Sequence, residues 1–242
     1  MTQVNLEGRN VVLEALLRGR KIFEIFIDKN AKGGSIERII KSAKEKVVKV
    51  TPVDRPFLQK ISKTDSHQGI IALSEPIKTY SVSQIVKEVE TPFIVVLKEV
   101  LYEHNLGAVL RSAAAAGVDA VVVSGSKDKV ISPVVERVSM GASNAVKICI
   151  EGISSALTVI KRAGIKVVGV EASGSKFYFE EDMTGSLCLC FGGEDNSLAL
   201  PQVKICDIVV RVPMENAIQS LNLSVAAGVV LFEKVRQDLC KK

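Results

Sequence analysis

The sequence predicts an α/β protein in which a parallel sheet follows a smaller α/β module. After Pro92 the chain has apolar runs separated by helical segments, a pattern typical of parallel strands that are buried on both faces. Before that residue, shorter stretches alternate between helical and strand-like spacing. We therefore predict a first domain at residues 1–75, a linker at 76–91 and a second domain at 92–242.

The first domain is predicted to contain two helices and three strands. The stretches NVVLEALL and SIERIIKSAKEK have the apolar spacing of helices. KIFEIFID alternates like a strand, and VVKV and QGIIALS are two further strand candidates. The polar stretch EPIKTYSVSQIVKEVET begins beside Pro76 and ends before Pro92, so we expect the linker and a short helix there.

The second domain is predicted to contain six buried strands. They are FIVVLKE, DAVVVSG, VKICI, KVVGVEA, LCLCFGG and DIVVRVP. Two segments, AAGVDAVVVSGSK and RAGIKVVGVEASGSK, resemble each other weakly, with Gly117 and Gly164 as natural helix ends. We interpret them as successive βα units with common loop chemistry and no shared ligand.

Composition excludes several classes of protein. With 242 residues and 47% hydrophobic residues, the chain can fill a substantial core. No apolar run reaches the roughly 18 to 20 residues of a membrane span, and the N-terminus lacks a signal-peptide core, so we expect a cytoplasmic protein. Five cysteines, two histidines and no CxxC predict reduced core thiols and no metal site.

The excess of positive charge lies in the first domain. The net charge is +5, and residues 1–75 hold 14 Lys and Arg against 9 Asp and Glu. The remaining residues therefore sum to zero. Positive charge confined to one segment indicates contact with a polyanion, and we predict nucleic acid; a solvated basic surface, the alternative, would show the same distribution of charge.

Ligands in open parallel sheets bind beyond the carboxyl ends of the strands, so the loops there are candidate sites. The first, YEHNLGAVLRSAAAAG, holds Asn105 near a helix start, Gly107 for close approach, and Arg111 on the early turns. The free backbone amides at the N-terminus of a helix favour an anion, and the Asn and Arg side chains add hydrogen-bond donors with a defined direction. Alternatively, Asn105 only caps the helix.

Two further loops have similar character. CFGGEDNSLALP places Gly192, Gly193 and Glu194 directly after a strand. Because glycine has no side chain, a ligand can contact the backbone there closely. VPMENAIQSLNLS precedes an apolar helix, with Ser220 as the expected N-cap and Asn222 on the first turn. A plain turn and simple capping are the structural alternatives for these two loops.

Three common enzyme signatures do not occur. The sequence has no GxGxxG after a strand, no GxxxxGK[ST] and no GxSxG. A Rossmann dinucleotide site, a P-loop and an α/β-hydrolase nucleophile are therefore not supported.

Taken together and in this order, the three loops resemble the signature motifs of the SpoU (TrmH) family of RNA ribose 2′-O-methyltransferases, in the SPOUT superfamily. The matching residues are Asn105, Gly107 and Arg111; Gly192, Gly193 and Glu194; Val212, Pro213 and Met214; and Ser220, Leu221 and Asn222. LEGRNVVLEALL and SHQGIIAL also resemble the ends of the L30e-like substrate-binding domain of the ribosomal-RNA branch.

The resemblance implies a parallel-sheet domain whose C-terminal segment forms a deep trefoil knot. It also implies S-adenosylmethionine as cofactor, a homodimer, and ribosomal RNA as substrate, with guanosine favoured and transfer RNA as the alternative. Neither a membrane nor a metal is implied.

The resemblance also implies individual roles. Arg111, Asn105 and Glu194 would be catalytic, and the cofactor would be bound by Gly192, Gly193, Val212, Met214, Ser220, Leu221 and Asn222. Because a guanidinium stays charged at any practical pH, we expect Arg111 to orient or stabilise the alkoxide as it forms.

The sequence departs from the family pattern in three places. Tyr102-Glu103 replaces an Asp-Pro, Glu194-Asp195-Asn196-Ser197 replaces Glu-Gly-x-Gly, and Asn216 stands where a Gly is common. These departures support a second hypothesis, an RNA-binding protein of the same fold without cofactor binding or catalysis.

Overall fold

The computed structural model describes residues 3–64, 66–193, 196–215 and 220–241. The chain forms two compact units. The first unit comprises Met1–Lys78 and Ile131–Ala145, and the second unit comprises Thr79–Val130 and Val146–Lys242.

Strands and helices alternate through most of the chain. The strands are β1 Val4–Glu7, β2 Ile22–Asp28, β3 Lys49–Val53, β4 Ile70–Ser74, β5 Thr79–Tyr80, β6 Phe93–Leu97, β7 Ala120–Val123, β8 Lys147–Ile150, β9 Lys166–Val170, β10 Lys176–Phe177, β11 Leu187–Phe191 and β12 Ile208–Arg211. The α-helices are α1 Arg9–Leu17, α2 Gly34–Glu45, α3 Arg55–Ile61, α4 Val82–Glu88, α5 Glu103–Ala115, α6 Lys127–Val130, α7 Pro133–Val138, α8 Ile153–Arg162, α9 Leu200–Ile205 and α10 Leu223–Cys240. Short 3-10 helices span Ala142–Asn144 and Tyr178–Glu180.

The first unit is a four-stranded mixed sheet in the order β1-β4-β2-β3. Strands β2 and β3 are parallel, whereas β4 runs antiparallel to both β1 and β2. Helices α1 and α2 contribute Val12, Leu16 and Ile39 to a core with Leu6 and Ile25, all fully buried. The structure contains the two helices and three strands that the sequence predicted, and adds β1 and α3.

Residues 131–145 pack within the first unit, although the sequence prediction placed them in the second domain. A buried ion pair joins them to the residues just after α1 in this unit: Arg20 Nη1 lies 2.5 Å from Glu136 Oε2, and both side chains are buried. Arg20 also donates to Asn144 Oδ1 and to the backbone oxygen of Glu75. Burial raises the pKa of Glu136, and the adjacent guanidinium opposes that shift.

The second unit is an eight-stranded sheet in the order β10-β12-β9-β11-β6-β7-β8-β5. Every paired neighbour runs parallel, as the apolar runs predicted. The edge strands β5 and β10 have only two residues each and were not predicted.

The central strands are buried on both faces. β6, β7 and β11 contain only buried residues. One face packs against α4 and α8 through Ile85, Leu157 and Ile160. On the other face α10 packs against α5, and the ammonium of Lys234 lies 5.2 Å from the centre of the Phe93 ring. No helix in the described ranges is long and apolar enough to span a membrane.

Breaking the Arg20–Glu136 pair is expected to destabilise the first unit. Arg20→Ala leaves a buried carboxylate without its partner, so we expect the free energy of unfolding of this unit to fall by about 3–5 kcal/mol. Hydrogen exchange of the amides in α7 measures the change locally. Arg18→Ala, which breaks an exposed pair with Glu14, is the control and should cost less than about 1 kcal/mol. Equal protection of α7 in both variants would contradict this account.

Candidate functional site

A cleft of about 680 Å³ lies in the second unit, where the loops after β9, β11 and β12 meet the start of α10. It brings together predicted site residues from all three sequence motifs: Asn105, Gly192, Gly193, Val212, Met214, Ser220, Leu221 and Asn222. These residues come from three widely separated parts of the chain. They meet because the strands before them are parallel and end at the same edge of the sheet.

Asn222 joins two of the three motifs. Its Oδ1 accepts hydrogen bonds from the backbone nitrogen of Ser224 at 2.9 Å and from Ser224 Oγ at 2.6 Å. Its Nδ2 donates to Asn105 Oδ1 at 3.1 Å. Asn222 is therefore the N-cap of α10, and the prediction that Ser220 caps this helix is wrong. Ser220 stands three residues before Leu223, the first helical residue, and lines the cleft instead.

Gly192 and Gly193 let backbone form one wall of the cleft. A Cβ at Gly192 would collide with the carboxylate of Glu171, and a Cβ at Gly193 would lie 3.0 Å from Glu99 Cβ. The Glu171 carboxylate cannot move freely, because its Oε1 accepts a hydrogen bond from the backbone nitrogen of Leu198 at 2.6 Å. A side chain at position 192 would therefore have to displace the Glu171 carboxylate from this hydrogen bond.

Several lining residues were not predicted from the sequence. They are Val170, Glu171, Ala172, Phe191, Leu223 and Ala226, and the sequence analysis named three more, Tyr102, Asn196 and Ser197, only as departures from the family pattern. Glu171 directly follows β9, so the rule that ligands bind at strand carboxyl ends could have identified it. The sequence analysis instead singled out three other loops, and interpreted this one only as sharing loop chemistry, and no ligand, with the loop after β7. The carboxylate supplies negative charge to the cleft.

One predicted catalytic residue, Arg111, does not line the cleft. Arg111 is exposed on α5, six residues beyond Asn105, which corresponds to about 9 Å along the helix axis. Glu194 lies outside the described residues, between Gly193 and Asn196. The backbone nitrogen of Gly193 donates to the backbone oxygen of Asn196 at 2.7 Å.

The first unit has a separate polar concavity of about 600 Å³. Its lining includes three basic residues, Arg9, Lys32 and Arg55, and three side-chain amides, from Asn10, Asn30 and Gln68; the single acid is Asp28. Arg9 is held in place, with Nε donating to Gln68 O at 3.2 Å and Nη1 to Lys32 O at 3.1 Å. Among the described residues, no hydrogen bond or ion pair occupies the side chains of Lys32 and Arg55. This surface is suited to an anionic, hydrogen-bonding partner.

Most of the thiols have the structural character that the sequence predicted. Cys149, Cys188 and Cys190 are buried and free. Burial raises the pKa of Cys149 to about 12 and that of Cys206 to about 11, so neither is a ready nucleophile at neutral pH. Cys240 is exposed at the end of α10, so the core interpretation is wrong for it. No group of metal-binding side chains occurs in the part of the chain that the structure describes.

Comparison with known proteins identifies the family. Residues 92–232 match the SpoU rRNA Methylase family, and residues 6–80 match the family described as RNA 2′-O ribose methyltransferase substrate binding. The 23S rRNA (guanosine-2′-O-)-methyltransferase RlmB of Ralstonia nicotianae is 33% identical over 221 residues, which cover 90% of this chain and 89% of that protein.

Solved structures resemble the whole chain. A crystal structure of an RNA 2′-O ribose methyltransferase matches with a TM-score of 0.84 at 27% identity, covering 98% of this chain and 89% of that one. An AdoMet-bound rRNA methyltransferase from Sinorhizobium meliloti shares the fold, with a TM-score of 0.80 at 24% identity and coverage of 97% and 87%. This chain therefore belongs to the SpoU rRNA methylase family.

Proposed function

We propose that this protein transfers a methyl group from S-adenosylmethionine to the ribose 2′-hydroxyl of a guanosine in 23S ribosomal RNA. The observation that carries the proposal is the cleft, which gathers the three motif loops of the family at one edge of the sheet. Relatives named for this reaction at about one-third identity support the choice of substrate. We expect the reaction in the cytoplasm, where ribosomal RNA is found.

The residues of the cleft suit the cofactor. Its volume is within the usual range of about 300–1,000 Å³ for small-molecule sites. Gly192 and Gly193 expose backbone for close contact, and the floor includes the buried ring of Phe191. The carboxylate of Glu171 complements the positive charge of a sulfonium. Val212, Met214, Ser220, Leu221 and Asn222 would complete the cofactor-binding set.

The bound cofactor supplies a methyl group already activated by a sulfonium, so the protein's main tasks are positioning and deprotonation. Asn105, held by Asn222, presents an amide at the entrance and would orient the ribose. Arg111 would stabilise the alkoxide as the hydroxyl loses its proton, because its guanidinium keeps its charge. We assign Glu194 to holding the ribose and Arg111 in place, on the family motif alone.

The first unit would bind the RNA. This assignment draws on the excess of basic residues before position 76 and on the polar concavity around Arg9. Cations there would contact phosphates, and the amides of Asn10, Asn30 and Gln68 would contact bases or riboses. We propose that this unit is an L30e-like module, in keeping with its four-stranded sheet covered by α1 and α2.

We further propose a homodimer and a trefoil knot. Val225, Phe232 and Leu239 are 51%, 48% and 65% exposed and recur every seven residues, so they form an apolar stripe on one side of α10. That stripe would contact a second copy, and sedimentation velocity would give the mass. The knot is proposed from the family to which the chain belongs, and the hydrogen bond from Asn222, at the start of α10, to Asn105 on α5 is in keeping with it.

Titration calorimetry with S-adenosylmethionine tests the cofactor site. We expect the natural protein to bind, and Gly192→Ala to weaken binding at least about tenfold, because its methyl group displaces Glu171 and narrows the cleft. Gly152→Ala, at a position with open space, is the control and should bind as the natural protein does. If millimolar cofactor gave no heat with the natural protein, the hypothesis of an RNA-binding protein without catalysis would replace this one.

Replacing Arg111 should separate catalysis from cofactor binding. We expect Arg111→Ala to lower kcat for methyl transfer by about 100- to 1,000-fold, since one charged donor to the developing alkoxide is removed. The dissociation constant for cofactor should stay within about twofold, because Arg111 does not line the cleft. Arg162→Ala, an exposed arginine on α8, is the matched control. Loss of cofactor affinity in Arg111→Ala would show that the residue is wrongly placed.

Lys32 and Arg55 should each neutralise a phosphate of the RNA. We expect each alanine variant to weaken RNA binding and to reduce the slope of log K against log salt by about 0.7 to 0.9 for each phosphate that is no longer neutralised. Filter binding of a 23S rRNA transcript between 50 and 300 mM salt, about the range in which such slopes develop, measures both quantities. Lys46→Ala, exposed on the same unit outside the concavity, should leave the slope unchanged. A slope equally affected by all three variants would argue against a localised interaction.

A further inference from the structure

Tyr102 places an exposed aromatic ring at the entrance of the cleft. It is 65% exposed, although it lines the same cavity as the buried Phe191. It lies three residues before Asn105, at the start of α5. A ring that lines a cavity and is still two-thirds accessible stands at the rim, where a substrate arrives, and not at the floor.

The local structure gives no reason for a tyrosine at this position. Tyr102 is the N-cap of α5 and makes no side-chain capping hydrogen bond. Ser, Thr, Asp and Asn are the residues that cap helices, because their short side chains reach the first free amides. None of the described hydrogen bonds engages the phenol hydroxyl. A residue that breaks a local rule without a local gain points to a role in function.

An exposed aromatic ring in this position is suited to stacking on a nucleobase. Single nucleotides of RNA are recognised when an unstacked base lies on an aromatic side chain and polar groups contact its edges or its ribose. Beside Tyr102, the hydrogen-bonded amides of Asn105 and Asn222 supply polar groups. The entrance therefore offers a π surface and hydrogen-bonding groups side by side.

We propose that Tyr102 is a positioning residue that stacks on the base of the nucleotide undergoing methylation. The inference rests on the proposed function. The stacked base would fix the ribose beside Asn105, so that its 2′-hydroxyl faces the cleft. A purine offers the larger stacking surface, so the ring would favour guanosine over a pyrimidine at this position.

The first test separates RNA binding from cofactor binding. We expect Tyr102→Ser to raise KM for a 23S rRNA transcript about 5- to 10-fold, since stacking on an aromatic ring contributes to binding each base. Cofactor affinity should stay within about twofold. Serine is a preferred N-cap, so Tm should not fall and a loss of RNA affinity cannot be attributed to unfolding. Tyr102→Phe, which keeps the ring, should restore KM.

Leu200→Ser is the control for removing an exposed apolar side chain. Leu200 is 75% exposed and does not line the cleft, so KM for RNA should not change. Equal KM values for Tyr102→Ser and the natural protein would overturn the proposal. Absence of methyl transfer by the natural protein would instead overturn the proposed function.

The second test uses the absence of tryptophan from this sequence. Tyr102→Trp introduces a single indole, whose fluorescence is quenched when it stacks on guanine. We expect quenching on addition of the transcript and none on addition of S-adenosylmethionine alone. Quenching by the cofactor alone would place the ring on the cofactor and overturn the assignment. This measurement needs no turnover, so it remains informative if the natural protein does not methylate.

Discussion

The second unit depends on one constraint, the parallel direction of all the paired strands in its sheet. Parallel strands put their carboxyl ends at one edge, so the loops after β9, β11 and β12 meet although they are far apart in sequence. Buried strands of this kind need cover on both faces, and α4 and α8 on one side with α5 and α10 on the other supply it. The cleft is therefore a consequence of the topology, and its side chains decide what it binds.

Two local features, the amide of Asn222 and the glycine at position 192, shape this edge of the sheet into a binding site. Asn222 caps α10 with one side of its amide and bonds Asn105 with the other, so one residue fixes both the helix start and the entrance of the cleft. Gly192 keeps the opposite wall free of side chain, and Glu171 fills the space that a Cβ would need. The first is a hydrogen-bonding device and the second is a steric one.

The apolar runs were sufficient to predict the long parallel strands, because a strand buried on both faces leaves a pattern that is readable locally. Features that depend on contacts distant in sequence were not predictable. Arg20 and Glu136 pair across more than a hundred residues and join 131–145 to the first unit, and nothing near either residue signals this. Glu171 was missed because its loop resembled that after β7, which does not line the cleft. The predicted N-cap of α10 was misplaced by two residues. Ser220 and Asn222 are both good capping residues, and the choice between them depends on where the backbone becomes helical, which is at Leu223.

The central claim is that this fold delivers a methyl group to a ribose and not to a base. Mass spectrometry of nucleosides tests it directly, with 23S rRNA from a strain lacking the gene incubated with the purified protein and S-adenosylmethionine carrying a deuterated methyl group. The account predicts label in 2′-O-methylguanosine alone. Label in a base-methylated nucleoside, or no label although the protein binds both RNA and cofactor, would contradict it.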